Sequence, residues 1–187
     1  MRYIAPRVPE EASRRFFTRP RFRNLFGLVP PRTAKMVPGS KAPYVELVWL
    51  PFYLITLRVS SPRGPGTIST SVEGYSGSFA IFQMHDNLVE GDVNGEYFPP
   101  QLTTEEAVGI ARKELLLSIM RRRGQQEKPC IEDTVGLDLF YYPFWVYYIR
   151  RRRRFIDILL QDALTGERGG NRNKMGLLNA FVARGNR

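Results

Sequence analysis

The 187-residue chain has 43% hydrophobic and 25% charged residues, an ordinary globular composition with length for one domain of average size or two small ones. A single cysteine, Cys130, excludes an intramolecular disulfide framework and a cysteine-rich zinc site; a single histidine, His85, excludes multi-histidine metal centres. The net charge of +10 is uneven: residues 1–41 carry ten basic and two acidic side chains, a balance of +8, and the rest of the chain contributes +2.

Residues 1–43 read as a basic Pro/Arg/Phe-rich arm. Pro6, Pro9, Pro20, Pro30, Pro31, Pro38 and Pro43 remove backbone donors and bias their predecessors towards extended geometry, leaving room only for a short helix over Glu10–Thr18. Phe16, Phe17, Phe22 and Phe26 are threaded among Arg14, Arg15, Arg19, Arg21 and Arg23. Solvated tails are poor in aromatics, so the phenylalanines are expected to dock, either on the chain's own domain or on a partner. Ser13-Arg14-Arg15-Phe16-Phe17 mimics a twin-arginine export signal, but Thr18-Arg19-Pro20-Arg21-Phe22-Arg23 follows where an apolar stretch is required. No apolar run reaches the ~18 residues of a spanning helix, and the expected location is cytoplasmic.

Residues 44–187 read as a duplicated α+β domain, with repeat one over 44–124 and repeat two over 125–187. Val45–Leu54 lines up with Leu137–Val146, sharing an acidic residue, a five-residue spacing to proline and a following aromatic pair; Glu73–Gly77 matches Asp162–Gly166. Each copy predicts a hairpin, Val45–Ser60 with Thr67–Val72 and Leu137–Ile149 with Phe155–Gln161. Both faces of the outgoing strands are apolar, which suits strands covered on both sides, or covered on one side by a helix and on the other by a partner. Pro51 and Pro143 cannot donate to a ladder and imply a bulge or an edge. Ser78–Met84 predicts a strand, and Asn94-Gly95 predicts a hairpin between Leu88–Val93 and Glu96–Phe98. Thr103 and Glu106 form a capping box that opens a helix over Thr103–Arg123, with an apolar stripe of Val108, Ala111, Leu115 and Ile119. A shorter helix is expected over Lys174–Ala183, burying Leu177, Leu178 and Phe181.

Leu102-Thr103-Thr104-Glu105-Glu106-Ala107 with Ile110-Ala111 resembles the opening helix of PepSY-type domains, and the hairpin ending in Asp162-Ala163-Leu164-Thr165-Gly166-Glu167 resembles their closing turn. The resemblance covers about residues 102–168. It implies a cystatin-like α+β fold, a helix packed on a curved antiparallel sheet, and a module of a kind that is usually binding or inhibitory and usually extracytoplasmic. The Pro-Phe-Trp inside the strand and the five-arginine turn belong to this chain and not to that pattern.

Catalytic chemistry finds little support. His85 and Asp86 are neighbours that a strand would point to opposite faces, and Cys130 has only His85 as a conceivable base. Glu90-x-Asp92-x-Asn94-Gly95 imitates the start of a calcium loop, yet Gln101 stands where the bidentate glutamate belongs, so an ordinary turn is expected. No cofactor or metal is expected. Eight of the 23 aromatics lie in Phe140–Phe155 and run into Arg150, Arg151, Arg152, Arg153 and Arg154. The sequence therefore reads as a non-enzymatic binding or assembly protein, engaging a protein partner, a second copy or an anionic surface. Nucleic-acid binding through Arg150–Arg154 and the arm, and attachment to an anionic membrane surface through Phe16, Phe17 and Phe22, are the alternatives.

Overall fold

The computed structural model describes residues 1–19, 32–40, 42–61, 64–121, 129–151 and 155–185. Their architecture is α+β: three helices and a nine-stranded sheet that is mixed rather than antiparallel as expected, because two short strands, Arg2–Ile4 and Glu96–Tyr97, join their long neighbours in parallel. The strands are β1 (Arg2–Ile4), β2 (Arg32–Thr33), β3 (Val45–Ser61), β4 (Gly64–Glu73), β5 (Phe79–Ile81), β6 (Leu88–Glu90), β7 (Glu96–Tyr97), β8 (Cys130–Arg151) and β9 (Phe155–Asp162). Long antiparallel β3 and β8 form the spine, running from Val45↔Tyr147 to Ser60↔Cys130. β4 and β7 share the outer side of β3, and β9 and β1 share that of β8; β7 runs parallel to β3 and β1 to β8. β5 and β6 add to the two flanks.

The two prolines sit where the outer neighbour changes. β7 pairs with Val48 and Trp49, and β4 takes over at Phe52, so Pro51 falls in the gap. β1 pairs with Phe140 and Tyr141, and β9 begins opposite Phe144, so Pro143 falls in the matching gap. Each proline is thus at a local edge inside a central strand, where a missing donor leaves no ladder bond unmade.

The helices are α1 (Glu10–Thr18), α2 (Thr104–Arg121) and α3 (Asn171–Gly185). Side chains alternate across a strand, and both faces are covered. On one face α2 lays Ala107, Ala111, Leu115 and Ile119 over Ile55, Leu57 and Val59, while Phe17 of α1 packs beside Trp145, Tyr147 and Ile149. On the other, Leu177 and Ala180 of α3 join a larger cluster around Leu50, Phe140, Phe144 and Val146. The capping box forms as expected, with Thr103 N–H donating to the Glu106 carboxylate at 2.8 Å and Glu106 N–H to Thr103 Oγ1 at 3.3 Å. The expected Lys174–Ala183 helix is α3, which begins three residues earlier.

Two expectations are corrected. Asn94-Gly95 is no hairpin turn: β6 pairs with β1 and β7 with β3, because strands completing opposite flanks of the spine cannot pair with each other. Gly95 instead lies at φ 114°, where the backbone passes Leu47 O closely. The strand expected over Ser78–Met84 is only Phe79–Ile81, since the chain turns at His85–Asn87, where His85 rests edge-on against Phe82.

The halves around β3 and β8 repeat one set of contacts. Gly74 N–H donates to Pro51 O and Ala163 N–H to Pro143 O; Gly77 N–H closes on Glu73 O and Gly166 N–H on Asp162 O. The Glu73 carboxylate accepts from Tyr75 and Ser76 N–H, as that of Asp162 does from Leu164 and Thr165. Residues 1–19 belong to the same scheme. Arg7 and Val8 N–H bond Ala163 O as Gln101 and Leu102 N–H bond Gly74 O. Trp145 Nε1 donates to Val8 O at 2.8 Å where the Tyr53 hydroxyl donates to Leu102 O at 2.7 Å. Tyr3 meets Trp49 edge-on as Tyr97 meets Tyr141. The described part of the expected arm is therefore docked on the body, with Ile4 fully buried.

Candidate anion-binding pole

At the far end of β8 two basic segments meet. Strand β2 pairs antiparallel with β8 so that Thr33 lies opposite Ile149 and Arg32 opposite Arg150. Their 118-residue separation in the chain is closed by this short ladder, which Ala34 N–H extends by donating to Tyr148 O at 2.9 Å. Tyr147 anchors the junction. Its hydroxyl and that of Thr33 are 2.6 Å apart, and Phe17 stacks on its ring with centroids 5.1 Å apart and planes 17° from parallel. Helix α1 begins against Trp145 and reaches Tyr147 through Phe17, bringing Arg14, Arg15 and Arg19 towards the same end.

Carboxylates near this pole are already engaged. Glu46, opposite Val146, accepts a 2.7 Å bond from the Tyr148 hydroxyl and pairs with Lys35 at 3.7 Å. Burial, reinforced by Glu46, raises the Tyr148 phenol above its ordinary range, so it remains the donor. Lys35 also lies over the rings of Tyr44 and Tyr148, 4.2 and 5.0 Å from their centroids. Asp157, opposite Ile149, pairs with Lys174. Lys35 and Lys174 thus offset the acidic charge of Glu46 and Asp157, while Arg150 is exposed beside them.

The expected contact residues divide as follows. Arg150 is exposed on the last part of β8; Arg15 and Arg19 are exposed on and just after α1. Arg14 is half-buried and paired with Glu10 one helical turn away. Phe16 packs edge-on against Phe17, so the aromatic contact expected of Phe17 is made with the chain's own Tyr147. Arg21, Arg23, Phe22, Phe26, Arg152, Arg153 and Arg154 lie outside the described residues, and of Arg151 only the backbone is described. Of the calcium-loop look-alike, Glu90 sits in β6 and accepts a 3.2 Å bond from Arg2 Nε. Among the described residues no three His, Cys, Asp or Glu side chains converge as a metal site. No helix among them is long and apolar enough to cross a membrane.

Reasoning from the sequence missed Arg32. A two-residue strand has no periodicity to read, and its place beside Arg150 is set by the tertiary pairing. Comparison with known proteins returns no match, whether to a family model, a curated protein or a solved structure.

Proposed function

We propose that this chain is a non-enzymatic binding or assembly protein that holds an anionic partner at the arginine-rich pole. The observation that carries the reading is the backbone register Arg32↔Arg150, which pairs the arm at Arg32 with the first residue of Arg150–Arg154. Eleven arginines lie in residues 14–32 and 150–154. Such a concentration is stabilised when phosphates or carboxylates gather against it. The scaffold is a duplicated α-β-β unit of the PepSY and cystatin-like shape. In support, α1-β3-β4 and α2-β8-β9 have one order, and the two hairpins share turn and cap contacts. Tyr3-Ile4-x-Pro6-x-Val8 and Tyr97-Phe98-x-Pro100-x-Leu102 also match, so the first unit starts at about residue 2 rather than 44.

A nucleic-acid partner is the second reading, favoured by the preponderance of arginine, which grips phosphate in a bidentate fork. With Phe17 and Tyr147 spent on each other, contact there is to the phosphate backbone rather than by base stacking. The test replaces Arg151, Arg152 and Arg153 with Ser. Binding is measured to single-stranded RNA by fluorescence anisotropy, to phosphatidylserine vesicles by flotation, and to proteins retained from the native cell. Melting temperature should stay within a few degrees and affinity for the anionic partner should fall. For RNA, three lost phosphate contacts flatten the log K against log salt slope by about 2. Unchanged binding with lost stability would make the arginines internal ties and remove the reading.

A further inference from the structure

The sheet face that carries α3 is covered in two pieces. Leu177 and Ala180 of α3 lie over one part, while Phe82 and the turn that follows it lie over another. Between them a cavity of about 290 Å³ reaches the aromatic floor of β3 and β8, formed by Phe52, Phe140, Tyr142 and Phe144. Phe52 stacks on Phe140 with centroids 5.6 Å apart, and Tyr142 tilts onto Phe144 at 5.2 Å. The floor is thus a continuous ring surface. Its one acid is compensated: Asp162 accepts the Tyr142 hydroxyl at 2.8 Å and the N–H groups of Leu164 and Thr165 at 2.8 and 2.9 Å.

The mouth has a different chemistry. Ser78, Phe79 and Arg172 line both this cavity and a wider basin of about 730 Å³, to which Ser118, Arg121 and one carboxylate, Glu114, also contribute. Arg172 is exposed, and none of the ion pairs resolved among the described residues involves it. An aromatic-floored cleft that shares an arginine with the neighbouring basin matches a ligand that is apolar at one end and anionic at the other. At the ~30 Å³ that one water occupies in the liquid, the cleft has room for roughly ten water-sized groups.

We infer that the cleft under the first turn of α3 binds a medium-chain carboxylate, with its chain over Phe52, Tyr142 and Phe144 and its head group at Arg172. This site is separate from the arginine pole and does not depend on it. The chain length follows from the chamber volume, and the head-group charge from Arg172 at the shared mouth.

The test is calorimetric titration of the full chain with decanoate, with 1-decanol as the uncharged analogue. Decanoate should bind saturably with one-to-one stoichiometry. Arg172→Gln should weaken it about tenfold and leave 1-decanol binding unchanged. Ala80→Trp, which fills the chamber from the exposed side of β5, should abolish binding of both without lowering the melting temperature. The Arg151, Arg152 and Arg153 to Ser replacement should bind decanoate like the parent chain. The assignment is overturned if decanoate fails to bind, if it binds equally well to Arg172→Gln, or if Ala80→Trp retains full affinity.

Discussion

Ile4 lies only four residues into the chain, yet it is fully buried between β8 and β6 in the cluster that holds Leu50, Phe98 and Phe140. Ile4→Ala removes three carbons. At about 0.8 kcal/mol per buried methylene-sized group the transfer loss is about 2.4 kcal/mol. The hole left beside residues tied into three strands adds to that, placing the expected destabilisation at about 3–4 kcal/mol. For a chain of this size 1 kcal/mol corresponds to about 2–4 °C, so the melting temperature should fall by roughly 6–16 °C. Urea unfolding followed by tryptophan fluorescence is the suitable assay, because Trp49 and Trp145 are both buried and Tyr3 packs against Trp49. Circular dichroism supplies the second probe that a two-state treatment needs. Val89→Ala, at a partly exposed position opposite Tyr3, is the control and should change stability by no more than about 0.5 kcal/mol. An Ile4→Ala effect as small as that of the control would refute the placement of β1 in the sheet, and the amino-terminal segment would revert to a dispensable arm.

Two further outcomes follow from the packing of α3 and from the buried phenol at the centre of the sheet. Gly176→Ala should destabilise by about 1–2 kcal/mol, although alanine ordinarily favours a helix interior by about 1 kcal/mol, because its Cβ would meet Glu73 Oε2 at 2.7 Å. That carboxylate is fully buried and held by Tyr75 and Ser76, so it cannot swing aside, and a raised melting temperature would show that α3 does not seat on it. Burial, and secondarily Asp162, raise the Tyr142 phenol above its ordinary value of 10.0. Its contribution to stability is complete below pH 10 and is lost as pH rises beyond it, since there the unfolded chain releases a proton that the folded chain keeps. Tyr142→Phe should therefore flatten the alkaline decline of stability measured by urea midpoints above pH 10, and an unaltered slope would contradict the buried hydrogen bond to Asp162.

Local signals in the sequence settled the elements whose causes are local. Helix α2 was legible from Thr103, Glu106 and the stripe through Ile119, because a capping box and a 3.6-residue period act within one segment. The hairpins β3–β4 and β8–β9 and the likeness of their closing turns were legible for the same reason, each being specified by turn residues and strand composition. Pairing between distant segments was not. Asn94-Gly95 has the composition of a hairpin turn, and only the competing partners β1 and β3 draw β6 and β7 apart. The basic charge of residues 1–41 disguised the short motif Tyr3-Ile4-x-Pro6-x-Val8, whose role emerges where Ile4 and Val8 meet the body. The meeting of Arg32 with Arg150, and the opening of an aromatic chamber beside Arg172, were likewise decided by tertiary structure. The first pairs backbone 118 positions apart and the second gathers residues from β3, β5, β8 and α3, and no local propensity encodes which elements will lie side by side.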